Sequence, residues 1–332
     1  MNQETTRRSF LRSLGLITLS AGAGTAFLSA CGKKKEVTTS DVDSAAHPAV
    51  STAPPKPLFF KISLAEWSLH KSLFDGKLTN LDFPAKAKND FGISAVEYVN
   101  QFFKDKAKDQ AYLSELKKRC DDLGVTSVLI MCDGEGNLGE LDKKKRAQTV
   151  DNHKKWADAA KFLGCHSIRV NAYGEGTREE VAKAATDGLH MLSEYGKSVG
   201  INVIVENHGS YSSDGQWLSS VIKGTGLDNC GTLPDFGNFC LKRKEKECEE
   251  WYDRYKGVEE MMPFAKGVSA KTHEFDAEGN CVETDYSKML TIVKAAGYTG
   301  HIGIEYEGET LSEDEGIRKT KALLEKAGGT VA

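Results

Sequence analysis

The sequence has little that would bind a nucleic acid or a nucleotide. Its 44 Lys and Arg residues are outnumbered by 48 Asp and Glu residues, and the body of the chain has no long basic run. Without a basic face, DNA and RNA are not expected partners. No Gly-x-Gly-x-x-Gly follows the first predicted strand, and no Walker phosphate-binding loop is present. These absences remove most of the support for a nucleotide cofactor.

Cysteine follows no recognisable framework. Besides Cys31 there are seven, at irregular spacing and without a Cys-x-x-Cys pair: Cys120, Cys132, Cys165, Cys230, Cys240, Cys248 and Cys281. An odd count at such spacing is a poor disulfide framework even for an exported protein. We therefore expect small buried side chains, with a Cys240–Cys248 pair as the alternative.

The first 30 residues have the three parts of an export signal. The pair Arg7-Arg8 precedes a weakly apolar stretch over residues 14–30. That stretch is slightly short for a membrane span, although a permanent anchor helix is the alternative. Leu28-Ser29-Ala30-Cys31 resembles the lipobox of bacterial lipoproteins, in which the cysteine is acylated after cleavage. We therefore expect twin-arginine export and a lipid on Cys31 that anchors the chain to a membrane, facing the periplasm or cell envelope.

The rest of the sequence divides into a short tether and one large domain. After Cys31 come a Lys triplet, many Ser, Thr and Ala residues, and four of the seven prolines, a composition typical of a flexible tether. The sequence predicts a signal peptide over 1–30, this tether over 31–57, a single domain over 58–327 and a tail over 328–332.

One pattern recurs in the domain: an amphipathic helix, a glycine, and a short β-branched run. The glycine is typical of a left-handed helix cap, and the apolar run is typical of a parallel strand buried on both faces. The predicted strands cover residues 59–63, 95–99, 125–131, 167–171, 202–206, 230–235, 268–271 and 301–305. Eight such strands with intervening helices favour an α/β fold of the (β/α)8 TIM barrel type over a doubly wound sheet. The stretch 241–262, rich in Lys and Glu, is expected to be a solvated loop and helix.

Ionisable side chains end four successive predicted strands, at Glu206, Asp235, His273 and Glu305. The active site of such a barrel lies at the carboxyl ends of the strands, and strand alternation allows all four to point into the mouth. Carboxylates that converge repel one another unless a cation neutralises them. This donor set suits Mn²⁺, Co²⁺ or Mg²⁺, with Zn²⁺ as an alternative. The competing interpretation is four unrelated exposed loop residues.

The segments around these positions resemble a known family. They are VIVENHG (203–209), LPDFGNF (233–239), KGVSAKTHEFD (266–276) and GYTGHIGIEYEG (297–308). Over about residues 58–327 the chain is similar to the xylose isomerase-like TIM barrels, the sugar phosphate isomerase/epimerase superfamily. The resemblance implies a metal held by a Glu, an Asp, often a His, and a second Glu, which here are Glu206, Asp235, His273 and Glu305.

The seventh strand departs from the family pattern. Members of the family commonly carry the ligand His in a His-x-Lys-Asp phrase, and alignment on Lys271 puts Ser269 where that His stands. His273 lies two residues further on with the same facing. Two hypotheses are open: His273 completes the metal site from one step higher, or it binds substrate while the metal keeps three protein ligands and water.

Further side chains at the predicted mouth are candidate sugar contacts, each with packing or a loop role as the alternative: Trp67, Glu97, Asn171, His208, Asn238 and Lys271. His208 either contacts substrate or braces Glu206. Lys271 either orients a substrate oxygen or neutralises a carboxylate. Asn238 stands where sugar epimerases often have a substrate-binding His, which leaves the identity of the sugar open.

The resemblance implies an isomerase or epimerase of a sugar or keto-sugar. Glu206 and Glu305 are the expected acid and base of a proton transfer through a metal-stabilised enediolate. The alternatives are a metal-dependent lyase or hydrolase acting on oxidised (3-keto) glycosides, and a non-catalytic carbohydrate-binding lipoprotein. A DNA-repair enzyme of the endonuclease IV type would need more His residues and a basic face. Export favours a small neutral carbohydrate over a sugar phosphate, and a homo-oligomer is compatible with the sequence.

Overall fold

The computed structural model describes residues 57–245 and 247–331, so the predicted signal peptide, Cys31 and most of the predicted tether lie outside it. Its strands are β1 Lys61–Ala65, β2 Ala95–Val99, β3 Thr126–Met131, β4 Ser167–Val170, β5 Asn202–Glu206, β6 Cys230–Leu233, β7 Cys240–Lys244, β8 Glu247–Trp251, β9 Val268–Thr272 and β10 His301–Tyr306. Its α-helices are α1 His70–Phe74, α2 Phe83–Phe91, α3 Gln110–Leu123, α4 Lys143–Leu163, α5 Arg178–Val199, α6 Gly215–Gly224, α7 Arg254–Met261, α8 Tyr286–Ala295 and α9 Glu313–Val331. Short 3-10 helices cover Glu66–Leu69, Asn100–Lys106, Ser210–Ser213 and Met262–Phe264.

Eight parallel strands form one curled sheet in the order β6-β5-β4-β3-β2-β1-β10-β9. The two ends of this sheet meet through parallel bridges from Thr232 to Ala265 and from Asp235 to Ser269. The sheet therefore closes, and the predicted (β/α)8 barrel is confirmed. Closure brings the carboxyl ends of β5, β6, β9 and β10 to the same mouth.

The predicted glycine caps end the helices that lead into the strands. Gly92, Gly124, Gly164 and Gly200 cap α2, α3, α4 and α5 with φ between 62° and 84°. A side chain with a Cβ is strained in this left-handed conformation, so glycine is favoured there. At the other end of α5, Thr177 and Glu180 form a reciprocal capping box.

Four local predictions are corrected. The first strand is Lys61–Ala65 rather than 59–63, and β6 ends at Leu233, so Asp235 lies two residues beyond its strand. The expected loop after residue 240 contains an antiparallel ribbon, β7 and β8, before the expected helix α7. A disulfide joins Cys240 to Cys248 across this ribbon, where we favoured unpaired side chains. The other five described cysteines are buried thiols, as expected.

None of the helices between residues 57 and 331, as far as the structure describes them, is both long and apolar enough to cross a bilayer.

Candidate active site

Three buried carboxylates meet at the mouth of the barrel. One oxygen from each of Glu206, Asp235 and Glu305 lies within 4.8 Å of the other two. Glu206 is the last residue of β5, Asp235 follows β6, and Glu305 lies in β10. The three side chains are almost fully excluded from solvent. Buried carboxylates this close cannot all stay ionised without compensating positive charge.

Ser269 and Lys271, on the inward face of β9, connect two of these carboxylates. The Ser269 hydroxyl lies 2.7 Å from Asp235 Oδ2 and 2.8 Å from Glu305 Oε2. The Lys271 ammonium donates to Glu305 Oε1 at 2.8 Å and to Glu307 Oε2 at 3.1 Å. It lies 4.0 Å from Asp235 Oδ2. Two roles were predicted for Lys271: orienting a substrate oxygen or neutralising a carboxylate. These contacts are typical of the second role.

Glu206 forms an ion pair with Arg169 of β4. Arg169 Nε lies 2.9 Å from Glu206 Oε2, but the N–H does not point at that oxygen, and neither atom has a hydrogen-bond partner. On its other side Arg169 donates to Asp133 Oδ1 at 2.8 Å. Asn238 Nδ2 donates to Glu206 Oε1 at 3.0 Å, so that oxygen is oriented by an amide.

Burial is the main influence on the acidity of these groups. It raises the pKa of Glu206 to about 7 against the lowering effect of Arg169, and it raises the pKa of Asp235 to about 7 against that of Lys271. Glu97, deeper in the barrel, has its pKa raised to about 8 by burial. Glu206 and Asp235, two of the three carboxylates of the mouth, therefore hold a proton more tightly than exposed carboxylates do.

The donor set fits a divalent cation. Six carboxylates lie in or next to the site, those of Glu97, Asp133, Glu206, Asp235, Glu305 and Glu307, while Arg169 and Lys271 supply two positive charges. Among the described residues, six buried side-chain polar atoms have no hydrogen-bond partner. Four belong to site residues: Glu97 Oε2, Arg169 Nε, Asn171 Oδ1 and Glu206 Oε2. Three of these four are acceptors that a cation or a hydroxylated ligand would satisfy, whereas Arg169 Nε is a donor that needs an acceptor.

His273 lies outside this carboxylate group. Its side chain is 41% exposed, and Nε2 lies 3.8 Å from Glu307 Oε2. The structure thus brings three of the four predicted metal ligands together and places the fourth beside Glu307. Ser269 occupies the space between Asp235 and Glu305.

The other predicted contacts surround the carboxylates. Asn171 Nδ2 donates to Asp133 Oδ1 at 2.7 Å, and Trp67 Nε1 donates to Glu307. His208 Nδ1 lies 2.6 Å from the Tyr173 hydroxyl, and burial followed by the charge of Arg169 lowers the pKa of His208. Glu97 accepts from the Ser63 hydroxyl at 2.6 Å but is buried, so a substrate would meet it only from inside the barrel.

Sequence analysis missed Arg169 and Glu307. Strand alternation could have predicted that both point into the barrel, since Arg169 shares its face with Asn171, and Glu307 shares its face with Glu305. A charged residue between Ile168 and Val170 in an otherwise apolar strand is a further sign of an inward-facing function. Asp133 and Tyr173 lie on loops, and no spacing pattern predicts their contacts.

Comparison with solved structures gives the same fold at low sequence identity. D-psicose 3-epimerase, solved in the presence of D-fructose, superposes with a TM-score of 0.63 and 12% identity, covering 81% of this chain and 100% of that one. A xylose isomerase-like TIM barrel protein from Mycobacterium smegmatis, in complex with magnesium, gives 0.60 and 14%, covering 82% and 97%. The 3-keto-D-glucoside 4-epimerase from E. coli, in its apo form, gives a TM-score of 0.57 and 12% identity, covering 81% and 100%.

A search among curated protein sequences finds no significant match. The family model described as xylose isomerase-like TIM barrel matches residues 85–327, which include all three converging carboxylates. That match spans well over half of the 332 residues. The chain therefore belongs to the xylose isomerase-like TIM barrel family.

Proposed function

We propose that this protein is a metal-dependent isomerase or epimerase of a sugar or keto-sugar. The observation that carries the proposal is the convergence of Glu206, Asp235 and Glu305, buried and within 4.8 Å of one another. The fold neighbours support the substrate class, because two of them are named as epimerases of a ketohexose and of an oxidised glucoside.

Glu206, Asp235 and Glu305 would hold the metal, and Mn²⁺, Co²⁺ or Mg²⁺ suits three carboxylates better than Zn²⁺ does. A bound divalent cation would supply the positive charge that a substrate oxygen needs when a neighbouring carbon loses its proton. His273 lies beside Glu307 and outside this group, so we assign it to substrate binding.

Proton transfer falls to the two glutamates. Glu206 and Glu305 stand on β5 and β10, which are separated by β6 and β9 around the closed barrel. A sugar between them would present a carbon–hydrogen bond to one carboxylate and its opposite face to the other. In the chain without metal, burial raises the pKa of Glu206. Glu206 and Glu305 would accept and return the proton as base and acid. Asn238 fixes Glu206, and Lys271 fixes Glu305.

Sugar hydroxyls would satisfy the acceptors that protein groups leave free. Asn171 Oδ1 is buried and has no hydrogen-bond partner, while the same amide donates to Asp133. Trp67, half-buried beside Glu307, offers an indole face to a pyranose or an open-chain sugar. We assign both residues to substrate orientation, together with His208.

The test is solvent-deuterium uptake by a panel of ketoses and 3-keto glycosides in D2O. The wild-type chain is expected to incorporate deuterium next to the carbonyl of its substrate, and Glu305→Gln is expected to slow this at least about 100-fold. Glu325→Gln, a change of the same type on the exposed side of α9, serves as the control. Full retention of exchange in Glu305→Gln would contradict the assignment.

Product analysis in the same experiment separates the alternatives. A lyase or hydrolase on oxidised glycosides would use the same proton abstraction and then release the group on the anomeric carbon. A carbohydrate-binding lipoprotein would show neither exchange nor release, and Glu206→Ala would leave its sugar affinity nearly unchanged.

We also propose that the protein works outside the cytoplasm as a lipoprotein. The support is the twin-arginine segment, the lipobox at Cys31, and the disulfide between Cys240 and Cys248, a bond typical of oxidising compartments. Its substrate would then be a small carbohydrate released in the cell envelope, and no nucleic acid is expected as a partner.

A further inference from the structure

An apolar cavity of about 510 Å³ opens beside the active site. It lies between the segment that follows β1 and the segment that follows β2, both at the carboxyl-end face of the barrel. Its lining includes Leu73, Phe74, Leu81, Phe102 and Tyr112. Phe74 is 60% exposed, so its ring is accessible to a ligand in the cavity.

Trp67 joins this cavity to the carboxylates. On one side its indole N–H donates to Glu307, which also accepts from Lys271, the residue that binds Glu305. On the other side its ring lies 6.0 Å, between centroids, from both Phe74 and Phe102. Phe74 and Phe102 themselves meet edge-on at 5.1 Å. Trp67 therefore lies between the carboxylates and the aromatic edge of the cavity.

Three of the four polar side chains of the cavity wall are paired with protein groups, and the fourth, Gln101, is exposed. Asn80 donates to Glu66 at 2.9 Å and accepts from the Tyr112 hydroxyl at 3.0 Å. Thr79 donates to Asp82 at 2.5 Å. The wall thus offers aromatic and aliphatic contact and few free hydrogen-bonding groups, which suits an apolar ring better than a second sugar.

We propose that this cavity is a subsite for the aromatic aglycone of a glycoside whose sugar ring lies at Glu206, Asp235 and Glu305. The substrate class is then an aryl glycoside, or its oxidised form, rather than a free monosaccharide. This inference rests on the proposed function, because it takes the sugar to be bound at the three carboxylates.

Calorimetric titration of the full-length chain with three probes tests the subsite. The probes are 4-nitrophenyl β-D-glucopyranoside, methyl β-D-glucopyranoside, which lacks the aromatic ring, and 4-nitrophenol, which lacks the sugar. The aryl glycoside is expected to bind at least about 10-fold more tightly than the methyl glycoside, because it adds an aromatic ring to the buried contact area.

Phe74→Ala is expected to weaken the binding of 4-nitrophenol and of its glycoside by about 5-fold or more and to leave methyl glucoside unaffected. Phe162→Ala is the matched control, since Phe162 is also an exposed phenylalanine, at 37%, but lies in α4. The proposal is wrong if the aryl probes bind wild type and Phe74→Ala equally, or if 4-nitrophenol does not bind.

Two further measurements test whether a second copy of the chain covers the cavity, and whether the aromatic subsite and the proposed sugar site fail independently. If Phe74→Ala converts a dimer to a monomer in light scattering while aryl probes do not bind, the cavity is covered by a second copy of the chain, and the ligand proposal is overturned. In Glu206→Ala, 4-nitrophenol binding is expected to persist while the added affinity from the sugar is lost. If the wild type binds the aryl glycoside no more tightly than 4-nitrophenol, the proposed function is wrong, and the proposal of an aromatic subsite is retained.

Discussion

Ser269 has a single hydroxyl proton but two carboxylate neighbours, Asp235 at 2.7 Å and Glu305 at 2.8 Å. One proton can be donated to only one of them, so the second short contact needs either a protonated carboxyl group or a cation in the site. At the position where the family carries an imidazole, this chain has a hydroxyl. The side-chain donors that converge are consequently all oxygens, a set that would favour hard cations over zinc.

Replacing Ser269 with His is expected to change metal selectivity. An imidazole between Asp235 and Glu305 would add a nitrogen ligand, so the affinity for Zn²⁺ should rise at least about 10-fold while that for Mg²⁺ stays the same or falls. Competition with a chromophoric chelator measures both affinities. Ser114→His, on the surface of α3, is the control and should change neither. Equal zinc affinity in Ser269→His and wild type would contradict this assignment.

Glu97 is expected to make the metal-free protein less stable as the pH rises. Burial raises its pKa from 4.5 to about 8 in the folded state, so folding favours the protonated form. The stabilisation is fully present below pH 4.5 and is lost as the pH rises towards 8.

The measurement is urea denaturation of the chelator-treated chain at pH 5, 6.5 and 8. Between pH 5 and pH 8, the free energy of unfolding should fall by roughly 1–3 kcal/mol less in Glu97→Gln than in the wild type. Glu206 and Asp235, with pKa values also raised by burial, act in the same direction and leave a residual slope. Identical slopes in the two proteins would show that Glu97 is ionised throughout.

At the scale of elements, the β7–β8 ribbon is the main addition to the barrel. It begins two residues after Asn238, whose side chain orients Glu206, and the backbone N–H of Tyr252 donates to the Phe239 carbonyl at its base. The ribbon is largely exposed, including Trp251 at 57%, and its own core is small. The disulfide is therefore its principal constraint.

Removing the disulfide is expected to loosen the ribbon locally. In Cys240→Ser/Cys248→Ser, trypsin should cleave after the basic residues of β7 at least about 10-fold faster than in the oxidised wild type, because local opening exposes them. Dithiothreitol should give the wild type the same sensitivity. Equal cleavage rates with and without reductant would show that the two cysteines are not bonded in solution.

Sequence analysis predicted most elements of the barrel because each parallel strand is a short apolar run after a glycine cap. The pattern was strongest at Gly124 and Gly200, where helix, cap and strand follow one another without interruption. It failed for β7 and β8, because the basic residues of β7 and the Glu residues of β8 resemble a solvated loop. Glu206, Asp235 and Glu305 were predictable from strand ends, whereas the contact of Arg169 with Glu206 depends on two side chains meeting across neighbouring strands.

For the whole molecule, the N-terminal sequence predicts the cellular location, and the Cys240–Cys248 disulfide supports it. Arg7, Arg8 and Cys31 lie outside the described residues, so export stays a prediction from sequence. If it is correct, the domain folds in a reducing compartment and the Cys240–Cys248 bond forms after transport.

Fractionation of a bacterial host with a twin-arginine pathway tests this. The wild-type chain is expected in the membrane fraction with a lipid on its N-terminal cysteine, detected by mass spectrometry. Arg7→Lys/Arg8→Lys should remain in the cytoplasm as the full-length precursor, and Cys31→Ala should carry no lipid. A wild-type chain recovered from the cytoplasm without processing would contradict the proposed location.

The most direct test of the account is the metal content of the full-length chain, purified without chelator and measured by elemental mass spectrometry. Wild type and the control Asp151→Ala/Glu325→Ala, which removes two exposed carboxylates, should each hold about one equivalent of Mn, Co, Mg or Zn. Glu206→Ala/Asp235→Ala should hold none. A wild-type chain that neither retains metal nor takes it up from added ions would contradict the proposed chemistry, while the barrel itself would stand.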